Sequence, residues 1–188
     1  MKKIITCRIC KKKFEQLRPS QIVCSPECGL ELVEKEKRKK AKSQKLEWNK
    51  AKREHKNNDK SYLTARAQSL INKYARLRDE RQRGHICCTC NGKGKMDGGH
   101  FLPVLTHKSI RFNVNQIHQQ CVKCNQHNSG MRHEYKIFMI NKYGLEYVEQ
   151  LEASKGALKS YSIEYLQRLI KITNKKINIL TKSIDIIK

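Results

Sequence analysis

Apolar residues fall into helical registers over most of this chain, and the registers change in kind from one segment to the next. Between residues 61 and 83, Ala67, Leu70, Ile71, Tyr74 and Leu77 recur at spacings that predict one amphipathic helix. Arg76, Arg78, Arg81 and Arg83 fill its end, where cations suit the helix dipole, and Gly84 is a stop signal. Residues 131–156 repeat the helical period, with Tyr135, Phe138 and Met139 inward, a stop at Lys142-Tyr143-Gly144 and a short helix over 146–153. Near the end, Ile163, Leu166, Ile170, Thr173, Ile177, Leu180, Ile184 and Ile187 alternate steps of three and four, a heptad seam with Thr173 as its one polar member. Such a seam serves as the inner face of a helix packed on its own domain, as a partner for the 61–83 helix, or as a contact with a second chain.

Two segments lack that pattern. Residues 29–57 are dense in Lys and Glu, with Leu32, Leu46 and Trp48 as sparse apolar points and Glu34 and Arg38 spaced i,i+4. They read as a solvated basic rod or a partly disordered linker. Over residues 85–130, Gly92, Gly94, Gly98 and Gly99 predict tight turns. Residues 101–105 (FLPVL) read as a short strand edged by Pro103, and a helix is expected just after Cys124. The fold class is α+β, mostly helical, in four segments. These are a four-cysteine module (1–28), a basic helical region (29–84), a cysteine-and-histidine unit with following helices (85–156) and a C-terminal amphipathic helix (157–188).

The cysteines explain how so polar a chain closes its smaller cores. Cys7-x2-Cys10 with Cys24-x3-Cys28, and Cys87-x2-Cys90 with Cys121-x2-Cys124, carry zinc-ligand spacing. Four thiolates fix the backbone and leave no open coordination position, so both zinc ions are expected to be structural. The ninth cysteine, Cys88, is left over. No apolar signal segment follows Met1-Lys2-Lys3-Ile4-Ile5, so a reducing cytosol is expected, where CxxC pairs mean metal more often than disulfide.

Charge narrows the partner. Lys and Arg number 41 against 17 acidic residues, a formal net charge of +24. Such an excess calls for a polyanion, and nucleic acid fits best. No long apolar span points to a membrane. Lys108, Arg111 and Lys123 are candidate phosphate contacts. His100 lies about midway between the CxxC pairs, free of zinc duty. An imidazole suits removal of a proton from water, and a divalent cation suits charge on a phosphodiester. His107, His127 and His133 have no supporting spacing and are expected at the surface.

Gly98-Gly99-His100-Phe101, Arg111-Phe112, the run from Ile117 through His118 and Cys121 to Asn125, and Ser129-Gly130 resemble the phage NinG (Rap) family, whose pattern is roughly GGHF…RF…NVHxQCxxCNxxxSG. Tyr135, Tyr143-Gly144, Val148 and Leu151 match its helical tail, and the N-terminal cysteine unit and basic helix match its layout. The resemblance implies a metal-dependent endonuclease of phage recombination in the bacterial host cytosol, cutting branched double-stranded DNA such as D-loops and Holliday junctions. It also implies a zinc-stapled core of the HNH, or ββα-metal, type. His100 would be the water-activating base and Asn125 would hold catalytic Mg2+ or Mn2+. The carboxylate that precedes the base in related phage resolvases has no counterpart, because Gly99 stands there; Asp97 and His118 are the candidates to complete the metal site. The family's Asn in the NVH stretch falls at Gln116, with Asn115 displaced by one residue, so the group that orients His100 is left open. Paired cuts in a junction would need two active sites, for which a homodimer through the C-terminal seam is one route. The alternatives are a non-catalytic zinc-finger protein that binds nucleic acid and a factor for structured RNA.

Overall fold

The computed structural model describes residues 3–185, with side chains described through residue 182. The chain is a mostly helical α+β protein with two small antiparallel sheets, and it divides into two compact units, Met1–His55 and Lys56–Lys188.

In the first unit, β1 (Ile4–Thr6) pairs with β2 (Lys13–Glu15), and Lys11 takes a positive φ of 62° in the turn between them. Cys7 and Cys10 sit in that turn. Cys24 precedes α1 (Pro26–Asn58), and Cys28 lies in its first turn. The helix starts at Pro26, whose fixed φ suits the first helical position, with Ser25 Oγ accepting from the Cys28 N–H. The expected boundary at residue 28 therefore falls inside a helix. The segment beyond it is a continuous helix with no buried residue, tied along its surface by Glu31–Lys35 and Glu34–Arg38 ion pairs.

The second unit is built around α2 (Lys60–Arg83). Asp59 caps it by accepting from the N–H groups of Ser61 and Tyr62, and Gly84 ends it. Its buried row is Leu63, Ala67, Ile71, Ala75 and Asp79, one residue every four. Leu70, Tyr74 and Leu77, expected inside, are half-buried flanks of that row. Two elements pack on α2: the hairpin of β3 (Met96–His100) with β4 (Ile117–Cys121), and α5 (Ile163–Asp185). Leu63, Ala67, Ile71 and Ala75 share a core with Phe112, Ile117, Leu166 and Ile170. The α5 seam is thus used within the chain: Leu166, Ile170, Thr173 and Ile177 are buried. This removes them from the expected dimer contact. Ile184 and Ile187 lie outside the described side chains.

A second core joins Cys88, Phe101 and Leu102 to Tyr135, Met139, Val148 and Leu151, from α3 (Arg132–Tyr143) and α4 (Leu145–Ala153). Residues 101–105 do not form the expected strand. The strand is the preceding Met96–His100, and Phe101 and Leu102 turn into this core. A five-residue π-turn over Lys123–His127 replaces the helix expected after Cys124. Among the described residues no helix is long and apolar enough to cross a membrane.

Candidate functional site

Each cysteine set forms a tetrad whose ligand atoms lie within 4.8 Å of one another. Sγ pairs stand at 3.4 Å (Cys10–Cys24), 3.7 Å (Cys24–Cys28) and 3.8 Å (Cys90–Cys121). Zinc–sulfur bonds of about 2.3 Å in a tetrahedron separate sulfurs by about 3.8 Å, so both tetrads fit zinc. Burial opposes ionisation of Cys87, but the Thr89 side chain and the backbone of Cys121 and Cys90 outweigh it and hold the thiol down at about 6. Cys7 is likewise held at about 6 by backbone hydrogen bonds against burial. Each tetrad therefore contains one thiol disposed to give the thiolate that zinc needs. Cys88 belongs to neither; it is buried in the second core, and burial pushes its thiol up.

The second tetrad clamps the end of the hairpin where Met96 pairs with Cys121. Cys121 closes β4, Cys124 lies in the π-turn, and the Cys121 N–H donates to Cys87 Sγ at 3.3 Å. This sets the π-turn beside β3, where Asn125 Nδ2 and Gln126 Nε2 donate to Asp97 Oδ2 at 3.3 and 2.7 Å. Tyr135 of α3 donates to the Gly99 carbonyl at 2.8 Å, pinning the strand from behind.

Gly98 and Gly99, expected as turn residues, lie in β3 and serve close approach instead. A Cβ on Gly98 would stand 2.5 Å from the Asn72 carbonyl oxygen of α2. A Cβ on Gly99 would overlap Gln120 Oε1 and sit 3.1 Å from Asn125 Oδ1. The helix backbone therefore rests directly on the strand, and Asn72 reaches His100.

Both ring nitrogens of His100 are engaged. Gln116 Oε1 accepts from the Leu102 N–H while its Nε2 donates to the Ile110 carbonyl, so backbone groups of opposite kind orient the amide. That Nε2 also lies 3.2 Å from His100 Nδ1 and can only donate there. Nε2 lies 3.0 Å from Gln68 Nε2, which can only donate, and 3.1 Å from Asn72 Oδ1, which can only accept, so its surroundings serve either tautomer. Asn72 Oδ1 also accepts from Gln68 Nε2 at 2.8 Å, and Gln68 Oε1 accepts from Arg111 Nε at 3.3 Å. Burial, reinforced by the Arg111 guanidinium, lowers the imidazole from the ordinary 6.5 to about 4, so it is neutral at physiological pH.

Two cavities meet around these groups. One of about 620 Å3 runs along α2 and is lined by Gln68, Asn72, Arg76, Asp97, Arg111 and Asn125 among others. A second, of about 340 Å3, holds His100 and Asn125 together, with Ser129, Gly130 and Arg132 on its rim. Asn72, Gly98 and Asn125 line both. The structure thus brings Asp97, His100, Asn125 and Arg111 into one neighbourhood.

His118 lies elsewhere. It is fully buried, with Nδ1 2.7 Å from Asp79 Oδ2 and Nε2 3.0 Å from the Asn115 carbonyl and 3.3 Å from the Tyr143 hydroxyl. Asp79 also pairs with Arg78 at 2.7 Å and accepts from the Gln119 N–H. Burial opposes the Asp79 carboxylate, but His118, Arg78 and Gln119 hold its pKa well below the ordinary range. His118 therefore locks β4 to α2 and has no nitrogen to offer a cation. Lys108 borders a neighbouring cavity with Arg111, whereas Lys123 is exposed on the π-turn. His107 is buried beside the Thr106 hydroxyl, and His127 and His133 are exposed.

Sequence reading missed Gln68 and Asn72, and it missed the Asp79 lock; Gln116, noted where the family has Asn with the orienting group left open, is the residue that meets His100 Nδ1. The available signals were Asp79 continuing an apolar row of α2 and the amides Gln68 and Asn72 at i,i+4 beside it. Among the described residues no further set of three His, Cys, Asp or Glu gathers as closely as the tetrads. The candidate donors near His100 are oxygens: the Asp97 carboxylate, Asn125 Oδ1 and Gln120 Oε1. The last is buried without a hydrogen-bond partner and lies where Gly99 has no Cβ. One carboxylate with amide oxygens, completed by water and substrate phosphate, is a donor set for a hard cation such as Mg2+.

Comparison with known proteins places the chain. The family model described as Bacteriophage Lambda NinG protein matches residues 1–183. Protein ninG of Escherichia phage lambda is 31% identical over 187 residues, covering 89% of this chain and 91% of that protein. Protein ninG of Enterobacteria phage H19B is 31% identical over 193 residues and 94% of each chain. Protein ninG of Salmonella phage P22 is 31% identical over 180 residues, covering 85% and 88%. No solved structure matches. The chain belongs to the NinG family of phage lambda-like proteins.

Proposed function

We propose that the protein is a metal-dependent endonuclease of the HNH, or ββα-metal, type that cleaves branched DNA during phage recombination. The observation that carries the reading is one cavity shared by His100 and Asn125, continuous through Asn72 and Gly98 with a basic groove that contains Asp97 and Arg111. Arg111 stands where it can hold the scissile phosphate and neutralise part of its charge. Asp97 and Asn125 would hold Mg2+ or Mn2+, with Gln120 Oε1 in reserve; the bound cation supplies Lewis-acid stabilisation of charge on the phosphate oxygens.

His100 takes the proton of the attacking water. Its cavity-side nitrogen is Nε2, whose neighbours Asn72 and Gln68 line the groove, whereas Gln116 at Nδ1 is fully buried. Nε2 accepts in the tautomer that the Gln68 amide N–H supports, 3.0 Å away. A base with a pKa of about 4 is weak at neutral pH. A phosphate paired with Arg111 cancels one cause of that depression and strengthens the base when substrate is bound. The two zinc tetrads only hold shape.

The engagement of both ring nitrogens favours a second reading, a non-catalytic nucleic-acid-binding protein in which His100 is structural. His100→Ala separates them. Loss of branched-duplex cleavage with retained binding supports the nuclease, and cleavage equal to the parent protein eliminates His100 as base.

A further inference from the structure

We infer that α2 is the floor of a nucleic-acid track, and that one DNA strand runs along it from the Lys60 end to the cluster around His100. The inference rests on the nuclease reading for the identity of the partner, but its geometry is independent of it. Two rows of side chains run along α2, each one residue in four. The buried row is Leu63, Ala67, Ile71, Ala75 and Asp79. The adjacent row is Lys60, Thr64, Gln68, Asn72 and Arg76, and every member lines a cavity: Lys60 and Thr64 the one holding Lys108 and Lys159, the other three the groove holding Asp97. Those two cavities, of about 350 and 620 Å3, meet at Arg111, which lines both.

The charge along this path has one sign except at the site itself. Lys60, Lys108, Lys159, Arg111, Lys73 and Arg76 line it, and Asp97 is the sole acidic residue in either lining. The far end is ordered by its own contacts. Lys60 Nζ donates to Ser160 Oγ at 3.0 Å, and Tyr161 donates to the Ser109 carbonyl at 3.0 Å, which ties the 157–162 segment to both α2 and the Lys108 turn. From residue 60 to residue 76 the helix rises about 24 Å at 1.5 Å per residue. A DNA strand advances about 3.4 Å per nucleotide, so the track spans about seven phosphates. The row carries no aromatic side chain, so it reads backbone and not bases. An extended cationic track that leads to one acidic spot is the shape of a polyanion guide, and it would hold an arm of a branched molecule in line with the cutting position.

The experiment compares two charge-matched double variants of the full chain. Lys108→Gln with Lys159→Gln removes two cations from the far cavity, remote from His100. Lys171→Gln with Lys175→Gln removes two exposed cations from α5, outside both cavities. Binding of a fluorescent four-way DNA junction is followed by anisotropy between 50 and 300 mM salt. The first variant should lose about two from the salt slope and about 50-fold in affinity near 0.1 M, at roughly 0.9 of slope per phosphate contact. The second should match the parent. Equal losses in both variants, or a parental slope in the first, overturn the track. A slope loss seen with structured RNA but not with DNA overturns the DNA assignment. Neither readout involves cleavage, so a parent protein that cuts no DNA, with the slope loss still seen in the first variant, sinks the nuclease reading and leaves the track standing.

Discussion

Gly98→Ala tests how the helix and strand are fitted together. The added Cβ would stand 2.5 Å from the Asn72 carbonyl oxygen, about 0.9 Å short of ordinary contact at 3.4 Å. The obstacle is helix backbone, which cannot rotate away as a side chain can. Either α2 recedes by most of that distance or the strand bows, and overpacking of this kind costs about 1–3 kcal/mol. The same shift carries Asn72 Oδ1 away from His100 Nε2, lengthening a 3.1 Å hydrogen bond toward 4 Å. Displacement by about 1 Å in a reacting group is enough for a 100-fold loss of rate. Urea unfolding should therefore show a midpoint lowered with unchanged slope, while branched-DNA cleavage falls by about 100-fold and binding changes little. Stability within about 0.3 kcal/mol of the parent would refute the close approach of α2 to β3, and with it the route by which Asn72 reaches the histidine.

Other consequences follow from the same contacts. Gln116→Glu places an acceptor of fixed charge behind His100 Nδ1, so the imidazole should titrate about 1–2 pH units higher by NMR in the folded variant; an unmoved titration would show that Gln116 does not govern the ring. Asp79→Asn leaves Arg78 without its counter-charge and His118 without its carboxylate partner, and should cost about 3–5 kcal/mol in chemical unfolding; a cost under about 1 kcal/mol would deny the lock. Acidification should destabilise the parent in two stages. His100 is depressed to about 4 from the ordinary 6.5, so its contribution is complete above pH 6.5 and fades as pH falls toward 4. Asp79 is depressed as well, so its contribution disappears only below the ordinary carboxylate pKa of about 3.9. A melting temperature flat between pH 7 and 4 would contradict the first stage.

The helices were legible because their apolar period is long and their stops are explicit: Asp59 and Gly84 bound α2 as capping chemistry requires. The cysteine tetrads were legible because ligand spacing is a property of neighbouring residues. Gly98 and Gly99 were misread because a glycine that permits a turn and a glycine that admits another backbone look alike in sequence. The α5 seam could not reveal its partner, since a heptad face fits α2 and a second chain equally well. His118 shows the same limit from the polar side: its spacing suits a ligand, but Asp79, 39 residues earlier, claims it in the folded chain. Gln68 and Asn72 are amides with no pattern of their own, and only the packing of α2 on β3 makes them neighbours of His100; Gln116 gets there by the hairpin register, which sets His100 opposite Ile117.

The central claim is that thiolate-held zinc freezes a small hairpin on which a neutral imidazole and a separate, exchangeable cation act together. Metal content and cleavage of a nicked or four-way duplex, measured on the same sample before and after brief chelation, test it most directly. The expected result is two zinc ions per chain that survive chelation, cleavage that is abolished by it, and activity that returns on addition of Mg2+ or Mn2+ alone. Cleavage that persists without added cation, or none under any metal condition from a protein that still binds the duplex, would contradict it.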